Sequence, residues 1–191
     1  RLMAGVPRAG PDSFGYTLVD STQPDGPTYN FEDISGTGTV LSLSDDEVSS
    51  ALNMGFDFFY YGESYNQAYV SSNGFMTLLS GQGNGCCSGQ VLPDNTSPHG
   101  TIAGWWQDLY PESGGNIYYQ TLGTAPNRRF IVQFQNINNY DREGSVTFQF
   151  KFFEGSQEIE VHYADNFSPG GDPFAAGIEN QDSSVGLNYY R

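Results

Sequence analysis

The stretch GFDFFYYGESYNQAYVSSNGFMTLL (55–79) decides the fold. Aromatic residues crowd its first half, and Asn73-Gly74 sits between two runs of strand formers. Both residues of an Asn-Gly pair tolerate positive φ, which makes such a pair between strands the strongest short-range signal for an antiparallel hairpin. The crowding of rings places this hairpin in a core that relies on large aromatic side chains for its burial.

Two later runs extend the pattern. In 145–153, Val146, Phe148, Phe150 and Phe152 alternate with Thr147, Gln149 and Lys151; in 158–163, Ile159, Val161 and Tyr163 alternate with Glu158, Glu160 and His162. A period of two with polar partners predicts one buried and one wet face, with His162 facing solvent. The Glu154-Gly155-Ser156 turn joins these runs into a second hairpin. Further strands are expected at 14–19, 29–34, 39–43, 54–61, 68–71, 75–79, 101–106, 116–121, 129–136, 175–179 and 185–189. No window carries a helical stripe, so the fold class is all-β, an antiparallel β-sandwich or jelly roll. Residues 1–13 read as an N-terminal arm or linker, and 14–191 as a single domain. Ser80 to Gly100 is expected to be one ordered surface loop, pinned by Pro93 and Pro98, and the first place to seek a binding surface.

Composition agrees. The chain has 191 residues, 15% of them aromatic, with 24 glycines and 10 prolines, as short strands between tight turns require. Its formal net charge is −15, and Lys151 is the single lysine. Such a chain repels a phosphate backbone and an anionic membrane surface, so nucleic acid is excluded as a partner. No run approaches the roughly 18 apolar residues that span a bilayer, so no membrane insertion is expected. The absence of a leader and the start at Arg1 read as a mature product or excised domain.

Candidate chemistry is sparse. No nucleophile motif, metalloprotease motif or phosphate loop is present, and no enzyme activity is expected. Clustered carboxylates suit calcium, a hard cation with oxygen ligands; Asp45, Asp46, Glu47 and Asp108 are the candidates, with Asp165 a further one. Each, taken singly, also reads as solvated surface charge. Cys86 and Cys87 are adjacent, which leaves free thiols, a vicinal disulfide or bonds between subunits. In Trp105-Trp106 and Tyr118-Tyr119 a regular strand turns one member of each pair outward. Trp106 and Tyr119, with Asn84, Asn95 and His99 of the long loop, are the ligand-binding candidates. Asn95-Thr96-Ser97 and Asn166-Phe167-Ser168 are glycan-acceptor triplets.

Six runs together carry a family resemblance: GPTYNFEDISGTGT (26–39), MGFDFFYYGESYNQAYVSSNGFMTL (54–78), TIAGWWQDLYP (101–111), GGNIYYQTLGTAPNRRFIVQFQNI (114–137), SVTFQFKFFEGSQEIEVHYAD (145–165) and AAGIENQDSSVGLNYY (175–190). The series is similar to extracellular β-sandwich domains of large secreted bacterial proteins and, more distantly, to the nidogen-like domain of animal matrix proteins. The resemblance implies an extracellular or cell-surface location and a non-catalytic adhesion or accessory role. The partner is then a glycan or a protein, bound through end loops. It also implies that Tyr61-Gly62, Ser72-Asn73-Gly74, Trp105 with Asp108, and Gly177-Ile178-Glu179-Asn180 are architectural. The rival expectation is a structural subunit of a surface filament or layer. It would assemble with identical subunits by donating the 1–13 arm as a strand to an open sheet edge.

Overall fold

The computed structural model describes residues 7–141, 144–164 and 174–190. Asp165, the Asn166–Ser168 triplet and residues 1–6 of the expected arm lie outside them. Thirteen strands run through the described residues, and every ladder is antiparallel. β1 (Arg8–Ala9) and β2 (Leu18–Val19) pair with each other. β3 (Thr39–Leu41) is one edge of a five-stranded sheet, followed by β8 (Asn116–Leu122), β9 (Arg129–Asn138), β10 (Ser145–Phe153) and β11 (Ile159–Tyr163). The six-stranded sheet runs from β4 (Leu52–Tyr60) through β5 (Glu63–Val70), β6 (Phe75–Thr77), β7 (Thr101–Trp106) and β12 (Ala175–Glu179) to β13 (Gly186–Tyr190). The two sheets pack as the antiparallel sandwich that the alternation implied.

Their facing sides supply one core. Phe130, Val132, Phe134, Phe148, Phe150 and Phe152 of the five-stranded sheet meet Met54, Phe56, Phe58, Val70, Met76 and Trp105 of the other. Phe134 and Phe148 stack with centroids 4.6 Å apart, and Phe58 meets Phe152 edge-on at 5.1 Å. Each such ring contributes roughly 2–3 kcal/mol by leaving water.

The opening stretch forms its hairpin. Tyr69 pairs with Thr77 and Val70 with Met76, and the Gly74 N–H closes the turn on the Ser71 carbonyl. Gly74 has φ +79°, and a Cβ there would run into the Trp105 carbonyl, so this position admits glycine alone. The Gly74 carbonyl accepts from both Gly104 N–H (3.3 Å) and Trp105 N–H (3.0 Å). Two donors on one acceptor mark a bulge in β7. It turns Trp105 into the core and leaves Trp106 on the outer face.

The outer face of the five-stranded sheet is not wet, which corrects the alternation reading. Gln133, Gln149, Lys151 and His162 are all buried, with His162 only 4% exposed. They lie beneath the segment 29–34, expected as a strand and found as an irregular strap. Its alternate backbone groups bond to side chains instead of to a neighbouring strand. The N–H groups of Asn30, Glu32 and Ile34 donate to His162 Nδ1 (3.3 Å), Gln149 Oε1 (3.1 Å) and Gln133 Oε1 (3.0 Å). Gln149 Nε2 donates back to the Glu32 carbonyl (2.5 Å), and Lys151 Nζ to the Asn30 carbonyl. Such pairing satisfies the buried backbone without a ladder.

Trp106 and Tyr119, expected as outward ligand platforms, both turn to packed surroundings, Trp106 buried and Tyr119 half-buried. Trp106 is 2% exposed and packs with Phe75, Leu92, Ala103 and Ala175 beneath the long loop. Tyr119 pairs across from Val132 and packs against the main core, so Tyr118 is the member on the outer face. Within the expected arm, Arg8–Ala9 is paired in its own chain, and Tyr61 Oη donates to Asp12 Oδ2 at 2.7 Å.

Candidate functional site

Asn73 was legible in the sequence as a turn former, and the fold gives its side chain a second task. The residue is fully buried. Its Oδ1 accepts the Leu109 N–H (3.0 Å), while its Nδ2 donates to Asp46 Oδ1 (2.7 Å) and to the Asn84 carbonyl (3.3 Å). One amide at the hairpin tip therefore ties together three loops: 44–48, 82–90 and 107–110.

Asn84 completes the tie. Its Nδ2 donates to the Asp46 carbonyl (2.8 Å), its Oδ1 accepts the Cys86 N–H (2.8 Å), and its own carbonyl accepts from Ser71 Oγ (2.6 Å). Gly85 follows with φ +71°, where a Cβ would meet Phe75 at 2.5 Å and Trp106 Nε1 at 2.9 Å. That close approach lets Trp106 Nε1 donate to the Gly85 carbonyl (2.8 Å). The chain then presents Cys86 and Cys87, joined as a vicinal disulfide and exposed.

These constraints bring Asp46, Asp108 and the two sulfurs together, with one ligand atom from each lying within 4.8 Å of the others. Asp45 and Glu112 border the group, the Asp45 N–H donating to Glu112 Oε2 at 3.0 Å. Burial, then the charges of Asp46 and Glu112, push the Asp45 carboxyl up from its ordinary value, and its Oδ1 is buried without a hydrogen-bond partner. The place is a strongly negative corner beside an exposed disulfide. Of the four carboxylates expected for calcium, Asp46 and Asp108 converge and Asp45 is adjacent. Glu47 is occupied elsewhere: its Oε2 accepts the Ser44 N–H (2.7 Å) and Oγ (2.8 Å), which hold its carboxyl below the usual range.

The remaining candidates belong to a separate network. His99 Nδ1 lies 2.8 Å from Ser183 Oγ, but Ser183 is buried and its hydroxyl also bonds Glu179. A catalytic triad puts the carboxylate on the imidazole; here it sits on the serine, which is the order of a structural lock. Glu179 is fully buried, accepts the Asp94 N–H (2.9 Å) and the Thr101 N–H (3.4 Å), and has its carboxyl pushed up by burial. It anchors the far end of the long loop, where Asn95 is exposed. Asn84 thus joins the acidic corner, whereas His99 and Asn95 do not. The family resemblance marks Asn73 and Glu179 as architectural without naming what they hold, and Glu112 gives no signal beyond negative charge.

The fold and this loop end define a class: antiparallel sandwiches that present an irregular loop cluster at one place on a rigid scaffold. Residues 22–191 match the family model described as NIDO related, and the chain belongs to that family. Comparison with curated proteins gave no match, nor did comparison with solved structures. No helix among the described residues is long and apolar enough to cross a membrane.

Proposed function

We propose that this chain is a non-catalytic adhesion or accessory domain of an extracellular protein. It binds a glycan or a protein through the loop end that carries Asp46, Cys86–Cys87 and Asp108. The observation that carries the reading is the convergence of three loops, distant in sequence, on the buried Asn73 amide. Rigid backbone beneath exposed polar groups is how recognition loops are held at low ordering cost. The acidic corner favours a ligand bearing cationic groups or hydroxyl donors, and a net charge of −15 disfavours nucleic acid.

The rival reading, a filament subunit that donates residues 1–13, has less support, because Arg8–Ala9 already pairs with Leu18–Val19 of its own chain. Probing an array of glycans and extracellular-matrix proteins tests the adhesive reading. Reproducible binding to one ligand class is expected. A blank array, together with ordered fibres in negative-stain micrographs of the same sample, would replace it with the rival.

A further inference from the structure

The adjacent cysteines are not absorbed by ligand binding alone. We propose that reduction of the Cys86–Cys87 disulfide converts this corner into a four-donor site for a zinc-class divalent cation, made of two thiolates and the carboxylates of Asp46 and Asp108. The four ligand atoms already lie within 4.8 Å of one another. Donors around a tetrahedral zinc, bound at about 2.3 Å by sulfur and about 2.0 Å by oxygen, stand roughly 3.3–3.8 Å apart. Once the S–S bond is broken, the sulfurs separate from bonding distance toward that spacing while the carboxylates draw in.

Cys86, Asp46 and Asp108 are positioned by groups that do not involve the S–S bond. Asn84 holds the Cys86 N–H through Oδ1 and the Asp46 carbonyl through Nδ2, and Asn73 orients the Asp46 carboxylate. Trp106 fixes the Gly85 carbonyl, and the Tyr140 N–H donates to the Asp108 carbonyl at 2.9 Å. Outer-shell amides of this kind set ligand direction and tune affinity. Opening the disulfide therefore leaves its backbone anchors in place. Both cysteines are exposed, so a reductant reaches them.

The chemistry balances with a thiol-class reductant. Two equivalents of a thiol supply two electrons and two protons, the S–S bond breaks, and the reductant leaves as its own disulfide. The cation then displaces the two cysteine protons and bonds two thiolates and two carboxylates. In the oxidised form the sulfurs carry no thiolate charge, so the soft half of the site is closed. The site is thus gated by redox state, and it stands independently of the adhesive reading.

Cobalt(II) titration of the full chain, with and without a phosphine reductant, tests this. The expected result is one equivalent of cobalt on the reduced protein, giving thiolate-to-cobalt charge-transfer and tetrahedral visible bands that one equivalent of zinc removes. The oxidised protein gives neither band. D46N and D108N are each expected to weaken binding on the order of ten-fold or more, with near-ultraviolet circular dichroism confirming that both variants stay folded. C86S/C87S is expected to abolish the bands. Wild-type affinity in both aspartate variants would overturn the four-donor site, as would a reduced protein that never gives the charge-transfer band.

Discussion

The two sheets each carry a cover on their outer side, and the covers are built in opposite ways. The strap 29–34 lies on the five-stranded sheet through polar contacts, with Gln133, Gln149, Lys151 and His162 beneath it. The loop 80–100 lies on the six-stranded sheet around an apolar centre, with Leu92 packed among Phe75, Trp106 and Ala175, and polar ties run along its ends, such as Trp106 to Gly85 and Asp94 to Glu179. Their carboxylates differ likewise. Glu32 in the strap pairs with Arg129 and with Lys151 (2.8 Å), whereas Glu179 beneath the loop has hydrogen-bond donors around it. A polar cover demands a partner for each group and so fixes a single geometry. An apolar cover tolerates a varied surface above it, and on this molecule the exposed candidate site stands on the apolar one.

The largest effect is expected where apolar packing and a hydrogen bond are lost together. Trp106→Ala empties the outer cluster and frees the Gly85 carbonyl, and should cost about 3–5 kcal/mol in urea unfolding. Glu32→Gln comes next, at about 3 kcal/mol, because Lys151, only 1% exposed, loses its charged partner. Gln149→Ala should cost roughly 2 kcal/mol, since the Glu32 N–H and carbonyl lose their partners under the strap. If Gln149→Ala cost more than Trp106→Ala, the contrast between the covers would be reversed.

Acid separates the covers by sign. Hydrogen bonding to Arg129, then to Lys151, lowers the Glu32 carboxyl from near 4.5 to about 2. Its contribution is full above the ordinary value and is lost as pH falls from about 4.5 through about 2, on the order of 3 kcal/mol. Glu179 is raised by burial, so it does the reverse: the cost of ionising it appears as pH rises above 4.5. Urea unfolding from pH 2 to 7 should show E32Q with a shallower acid slope than wild type, Asp33, Glu47, Glu154 and Asp182 keeping their share. E179Q turns an amide NH2 against one of two backbone donors, so it should cost roughly 1–3 kcal/mol at neutral pH and steepen the net rise with pH.

What the sequence made legible was local. The Asn73-Gly74 turn and the Val146-to-Phe152 alternation each depend on neighbours a few residues away: the turn formed as read, and the alternation placed its apolar residues in the core though its polar face is buried too. The strap did not form as read, because the partners of its backbone are side chains more than 95 positions distant, such as Gln149 for Glu32 and Gln133 for Ile34. The same pattern of alternation describes polar residues in water and polar residues under a strap. Trp106 was read as exposed because a strand pattern does not report which loop folds over it. The site was legible in part: Asp46, Asp108, Asn84 and the cysteine pair were singled out separately. Their convergence depends on the Asn73 amide, whose burial no local pattern records.

We propose that the corner on the long loop, and not the strap, carries recognition. The direct measurement is one glycan and matrix-protein array probed in parallel with wild type, D46N/D108N and Y29A, the last altering the exposed ring of the strap. D46N/D108N is expected to lose the wild-type signal and Y29A to retain it. Loss in Y29A with full binding by D46N/D108N would contradict the proposal.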